Sequence, residues 1–295
     1  MKEVIDYLII GASNGCVYSL IAIGFILIFK CSKVFNFAQS EITILGAYLF
    51  YGATVQLKLP FIFGILMTLG IAVILSLTIE RALLRPLIGQ PIVSVIILTL
   101  ALAGFMRGGM ILIWGAEWLT LPSLFPKGGV HIGKIAILSY TNIFFIIVPL
   151  VFILLLGIYY RYSWGGLAMR VTADDTVVAR LLGVKVTRVL AMSWIIASVV
   201  GAVGGILLTS VTGVHYLAVE IGFKSMAVAM VGGLESLAGV ILMGPFLGIV
   251  ETLLAGYLDP LVGGGLSEVA AFFVLLVVLV FRPHGIFGWR TIERV

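Results

Sequence analysis

Long apolar runs separated by short polar breaks occupy almost the whole chain, a pattern that predicts membrane-spanning helices. The first run, residues 8–29, is interrupted by Gly11, Ser13, Asn14, Gly15 and Ser19, so one face is suited to packing on protein, and it is closed by Lys30 and Lys33. Residues 34–40 form a polar connector, and Glu41 opens a second run that reaches position 57. The third run, 60–79, is followed by Glu80, Arg81, Arg85, Pro86 and Pro91, which predict a loop that does not continue as helix. The fourth, 92–114, contains Arg107, which either snorkels to the interface or faces the bundle interior. Runs at 142–160 and 189–211 follow. The stretch 213–237 is different: 223–231 is apolar but short, and Gly232-Gly233 breaks it, as in a broken or re-entrant helix surrounded by protein. Runs at 240–257 and 267–281 end the series. The predicted fold is all-α, a polytopic membrane bundle of about eight full spans plus one short or broken helix, forming one transmembrane domain over residues 1–295.

Two polar interruptions are long. In 115–141, the segment 130–137 alternates around Gly133-Lys134 and predicts a small β-hairpin. In 161–188 there are five basic residues, Arg161, Arg170, Arg180, Lys185 and Arg188, and one helix too short to span a bilayer. Thr172-Ala-Asp-Asp175 fits a capping box, which puts Asp174 and Asp175 at the positive end of the helix dipole and Arg180 near the negative end. Gly183 is a C-terminal stop. Val177 with Leu181, and Val178 with Leu182, pair at helical spacing on one side. Such a helix either docks in a partner's groove or folds back on its own bundle.

Charge adds orientation. With the N-terminus outside, Lys30, Lys33, Arg81, Arg85, the five basic residues of 161–188, Arg282, Arg290 and Arg294 all fall inside, twelve of the eighteen Lys and Arg. Lys2, Lys58, Lys127, Lys134 and Lys224 fall outside, with Arg107 near the boundary. Loop 161–188 is then cytoplasmic, loop 115–141 external, and the C-terminus cytoplasmic. Composition agrees: 62% hydrophobic, 11% charged, mean hydropathy +1.25. The net charge of +5 follows from topology and does not imply nucleic acid. No cleavable leader is expected, because Lys2-Glu3-Val4-Ile5-Asp6 is not a basic one.

Little chemistry is expected of the chain itself. It lacks a phosphate-cradling G-x-x-x-x-G-K-[ST], H-E-x-x-H and G-x-S-x-G, so no catalytic residue is assigned. Cys16 and Cys31 suggest no disulfide framework, and the scattered His131, His215 and His284 suggest no metal site. Glu41, Glu235 and Glu251 lie nearest to membrane depth; such acids are functional candidates, although Glu41 also fits as a helix-dipole partner. A proton or cation relay needs several such groups along one path. Asn36, Gln39 and Ser40 either line a pathway or satisfy a helix start. The pairs Gly11/Gly15, Gly201/Gly205 and Gly244/Gly248 have the four-residue spacing of close helix contacts.

Four segments, in order, carry a resemblance. Asn36-Phe-Ala-Gln-Ser-Glu41 with Gly46-Ala-Tyr48, Arg170-Val-Thr-Ala-Asp-Asp through Ala179-Arg-Leu-Leu-Gly183, Val231-Gly-Gly-Leu-Glu-Ser-Leu-Ala-Gly239 and Arg282-Pro-His-Gly-Ile-Phe-Gly288 resemble branched-chain amino-acid ABC importer permeases, of the shorter H type. The resemblance implies a bacterial-type inner-membrane permease paired with a second permease, two ATPase subunits and a soluble solute-binding protein. ATP would be used by the partners, with no cofactor on this chain. It also implies an ATPase-coupling set of Arg170, Thr172, Asp174, Asp175, Val178, Ala179, Arg180, Leu181, Leu182 and Gly183, while Asn36, Gln39, Ser40, Glu41, Glu235 and Glu251, from their own polarity and depth, are the candidates for a substrate pathway. Val177 stands where the family's coupling signature has glutamate. Ser40 and Glu235 stand where it usually has glycine. These departures leave the solute open among leucine-type amino acids, other amino acids, amides and urea.

Overall fold

The computed structural model describes residues 2–121, 125–126, 128–132 and 136–288, and nearly every apolar run in it is helical. α1 (Lys2–Ser32) is followed by α2 (Gln39–Tyr51), which widens into a π-helical segment at Gly52–Gln56. α3 (Phe61–Ile79) and α4 (Ile92–Trp114) come next, then β1 (Gly129–Ile132), β2 (Ala136–Ser139) and α5 (Tyr140–Tyr162). α6 (Trp164–Asp174) and α7 (Thr176–Leu181) precede α8 (Val186–Thr212), and α9 (Glu220–Gly232), α10 (Leu237–Tyr257), α11 (Asp259–Val262) and α12 (Leu266–Phe281) follow.

Among the described residues six helical segments, built on α1, α3, α4, α5, α8 and α10, are long and apolar enough to cross a membrane. α12 is apolar but has 16 residues, and α2 has 13 with 5 more in its π segment. These eight are the spans read from the sequence, and α9, with 13 residues, is the short one. β1 and β2 pair antiparallel, Gly129 with Ser139 through Ile132 with Ala136; the turn at Gly133-Lys134 lies outside the described residues, as do Lys127, Arg290 and Arg294.

The third run ends differently from expectation. Helix continues past Ile79 through a π turn, Glu80–Leu84, and a 3-10 turn, Arg85–Leu87. A wider turn stacks residues five apart, so Arg85 reaches back to Glu80 with its Nη2 3.0 Å from Oε2. That bidentate pair holds a segment that Pro86 alone would have ended.

Backbone packing divides the chain into two compact units. In the unit made of residues 27–122 and 152–222, α2 lies against α8. A Cβ on Gly201 would approach Gln39 Nε2 at 2.9 Å, and one on Gly205 would strike the Thr43 carbonyl. Gln39 Nε2 donates to the Ala197 carbonyl at 2.8 Å and fixes the register of the two helices. In the unit made of residues 1–26, 123–151 and 223–295, Gly11 and Gly15 of α1 meet Gly248 and Gly244 of α10, backbone on backbone, and Ser19 Oγ donates to the Val240 carbonyl at 2.9 Å. Absent side chains let carbonyls and Cα hydrogens approach, which is how helices associate without a hydrophobic drive.

α10 turns into α12 through α11 and Gly263-Gly264-Gly265, all three at positive φ. No side chain at the N-cap Gly265 can cap α12, so Asp259 does it at a distance: Oδ1 accepts from Leu266 N at 2.7 Å and Ser267 N at 3.3 Å, and Ser267 Oγ donates to Oδ2 at 2.5 Å. The Ser267 hydroxyl first, and the two backbone donors after it, hold the Asp259 carboxyl below its ordinary range despite an opposing desolvation effect. A depressed native pKa means that the cap is complete above the usual aspartate value of about 3.9 and is lost as pH falls through the lower native value. Asp259→Ala is therefore expected to lower the thermal midpoint at pH 7, and the gap from wild type should close on acidification. A gap that stays constant with pH would remove the capping role.

Candidate functional site

Loop 161–188 contains two helices where one was expected. α6 begins at Ser163, whose Oγ accepts from Gly166 N at 2.9 Å, and ends at Asp174. Thr172 is therefore not a cap. It is buried within α6, and its hydroxyl donates to the Ala168 carbonyl at 2.8 Å. Asp175 is the residue that caps α7, its Oδ1 accepting from Val177 N at 2.7 Å and Val178 N at 3.1 Å. Asp174 lies at the C-terminal end of α6, opposite to the dipole position read from the sequence. The competing α6 helix decided this: with residues 164–171 already helical, Thr172 had no free N–H groups ahead of it to cap.

Arg170 is engaged by the end of α5. It donates to the carbonyls of Tyr160 and of Arg161, the latter at 3.1 Å, and lies over the Tyr160 ring. It ties α6 to the end of α5. Gly183, at φ +82°, stops α7 as expected: Val184 N reaches the Ala179 carbonyl at 2.9 Å and Gly183 N the Arg180 carbonyl at 3.0 Å. Ala179 is buried and seats the helix, while its other side is open. Leu181 is 82% exposed, Leu182 69% and Val177 63%, with Val178 and Arg180 beside them. Of the two roles left open for this helix, folding back on its own bundle does not describe these four apolar side chains.

Thr176 and Arg180 of α7 also line a cavity of about 300 Å³ in the same unit. Asn36, Arg85, Thr99 and Trp194 line it too, so the cavity connects the inner side of α7 to the start of α2. Asn36 is itself buried and acts on the backbone: Oδ1 accepts from Ala38 N at 3.1 Å, while Nδ2 lies 3.5 Å from Gln39 Oε1. Ser40 packs where a Cβ on Gly222 would collide with it, and its buried Oγ has no partner among the described residues. Glu41 is a membrane-depth acid with a counter-ion. Arg107 Nε and Nη2 converge on its Oε1 at 2.9 and 2.5 Å. Arg107 therefore faces protein and does not snorkel.

The other two acids belong to the second unit. Glu235 lies in the α9–α10 connection, just before the α10 cap Ser236. Around it two of the sequence motifs meet: Ile286 N bonds the Val231 carbonyl at 2.9 Å and Phe287 N the Gly232 carbonyl at 3.3 Å, with Gly285 pressed against Gly233.

The first three of the four motifs fall within a match to known proteins that spans most of the chain. Residues 7–281 match the family described as the permease component of the branched-chain amino acid transport system. The chain belongs to that family. The permease is 30% identical to the high-affinity branched-chain amino acid transport system permease proteins LivH of Salmonella typhimurium and Escherichia coli, over 97% of this chain and 96% of theirs. It is 28% identical to BraD of Pseudomonas aeruginosa over the full length of both. The solved structure of PsaBC from Streptococcus pneumoniae in complex with Fab is 14% identical over 92% of this chain and 89% of that one, at a TM-score of 0.50, which shows a shared fold.

Within the permease, Glu251 of α10 is also paired. Lys224, expected on the outer side, is in α9 with its Nζ 2.5 Å from Glu251 Oε1, both side chains largely buried, and Tyr18 bonds the same carboxylate. Removing one partner strands a charge. Lys224→Met is expected to cost about 3 kcal/mol of stability, and Lys224→Met/Glu251→Gln to recover most of it, because a neutral pair of similar volume replaces a buried ion pair without penalty. Equal melting of the single and double variants would show that the pair is not coupled. The signals for both membrane-depth pairs were in the sequence, as solitary opposite charges in apolar helices, but spacing along the chain does not say which charge meets which.

Proposed function

We propose that the chain is the membrane subunit of an ATP-driven importer of branched-chain or related aliphatic amino acids. The observation that carries this is α7: a rigidly capped six-residue helix with an apolar, solvent-exposed side and no counterpart for it in its own chain among the described residues. A pair of ATPases grips this side in the cytoplasm of a bacterial-type inner membrane. Closure of the ATPases moves α7, and the movement reaches α2 across the cavity lined by Thr176, Arg180 and Asn36. The spans alternate between outward and inward access. The chain itself binds no nucleotide. A second permease completes the channel, and the β1–β2 hairpin meets a loaded solute-binding protein outside, which supplies most of the selectivity.

The relatives' names support the solute class, since LivH and BraD are both named for branched-chain amino acids. The test is reconstitution. The purified permease is expected to co-elute with an ATPase, and vesicles holding the assembly should accumulate leucine only when ATP and the binding protein are supplied. Uptake that survives removal of the ATPase overturns the reading in favour of a carrier driven by an ion gradient.

A further inference from the structure

The ion pair between α2 and α4 is poorly explained as a clamp. Glu41 is 2% exposed in its side chain, yet both Arg107 contacts fall on Oε1, and Oε2 is buried with no hydrogen-bond partner among the described residues. A carboxylate that served only to hold Arg107 would use both oxygens, as Glu80 does for Arg85. Arg107 is 41% exposed, so part of its N–H fork is free. A helical side chain lies over the turn before it, and for Arg107 that turn contains Gly104, where an added Cβ would meet nothing within 4 Å. The face of α4 at Gly104 is thus left uncovered by the described residues. Seven residues further along each helix, Tyr48 and Trp114 bring their rings to 5.2 Å, and the buried Trp114 Nε1 also lacks a partner among the described residues. Buried polar atoms are nearly always satisfied, so two unsatisfied ones along one seam mark where a polar guest belongs.

The guest has a definite chemistry: the seam offers an unpaired carboxylate oxygen next to free guanidinium N–H groups. We propose that Glu41 and Arg107 hold the zwitterionic end of the transported amino acid, its carboxylate on Arg107 and its ammonium on Oε2 of Glu41, which gives a recognition site to the importer reading on which this rests. The ion pair then closes on itself when the solute is absent and opens to receive it. Asn36 and Thr99, which line the cavity beneath α7, precede Glu41 on α2 and Arg107 on α4, so the same motion that reaches the start of α2 bears on the pair.

The experiment uses the permease reconstituted with its partner subunits. Phenylglyoxal is applied to the wild type, and modification of Arg107 is followed by mass spectrometry. L-leucine is expected to slow it at least threefold, and 3-methylbutylamine, which has the same apolar body and ammonium but no carboxylate, to leave it unchanged. Equal protection by both, or by neither, overturns the proposal. In parallel, Glu41→Gln/Arg107→Gln removes both charges while keeping the shape of the contact. A mere clamp tolerates this exchange. Recognition does not: leucine uptake should fall at least tenfold while the assembly forms and its ATP hydrolysis still responds to the loaded binding protein. Uptake within twofold of wild type sinks the zwitterion site and leaves the importer standing, whereas a wild-type assembly that neither hydrolyses ATP nor transports strikes the importer reading itself. Should the double variant not assemble, protection of the wild-type Arg107 decides alone.

Discussion

A Leu181→Asp/Leu182→Asp variant is expected to lose ATP-driven uptake while its membrane bundle stays folded. Both side chains are in solvent in the isolated chain, so their replacement removes no internal packing, and surface changes of this kind move stability by about 0.5 kcal/mol or less. Against an ATPase the situation reverses. Burying a leucine contributes about 1.5–3 kcal/mol, and two together correspond to at least about a hundredfold in affinity at 1.4 kcal/mol per factor of ten. A buried unpaired carboxylate adds its own penalty. The measurement is co-elution of the ATPase with wild type and variant, alongside thermal melts of both. An unchanged melt with lost co-elution supports α7 as the grip. Retained co-elution and uptake would remove α7 from the mechanism.

The second large effect is expected at the crossing of α1 and α10. Gly11→Leu should prevent accumulation of folded permease, and Gly11→Ala should already cost about 1–3 kcal/mol, the range for overpacking a tight contact. An added Cβ at Gly11 would lie 2.6 Å from both the Gly248 carbonyl oxygen and the Ile249 Cα, and these are backbone atoms that no rotamer change can move. Gly104→Ala and Gly108→Ala are the controls. They share the four-residue spacing, but their Cβ positions are empty, so on the chain alone they should be neutral or, through better helix propensity, slightly stabilising. Thermal unfolding in detergent separates the outcomes. Equal behaviour of Gly11→Ala and Gly104→Ala would mean that the α1–α10 contact carries no stability.

That contrast defines what the residues alone could show. Gly11/Gly15, Gly104/Gly108, Gly201/Gly205 and Gly244/Gly248 have the same spacing, and only packing tells which are pressed against a neighbour. Glu41 and Arg107 are 66 positions apart and Lys224 and Glu251 are 27 apart, so neither pair is a local pattern. The cap of α7 moved from Thr172 to Asp175 because α6, unforeseen, claimed the residues before it.

By itself the sequence determined the membrane class, the approximate set of spans, a short helix with an apolar side in the polar loop and the stop at Gly183. Those properties depend on apolar length against bilayer thickness and on the conformational preferences of a few adjacent residues, all of which are local. Only the tertiary structure decided the partner of each buried charge, which glycines let helices touch, and that one oxygen of Glu41 is left unsatisfied. Those depend on how helices distant along the chain are rotated and shifted against one another, and a helix carries no record of its neighbour's register.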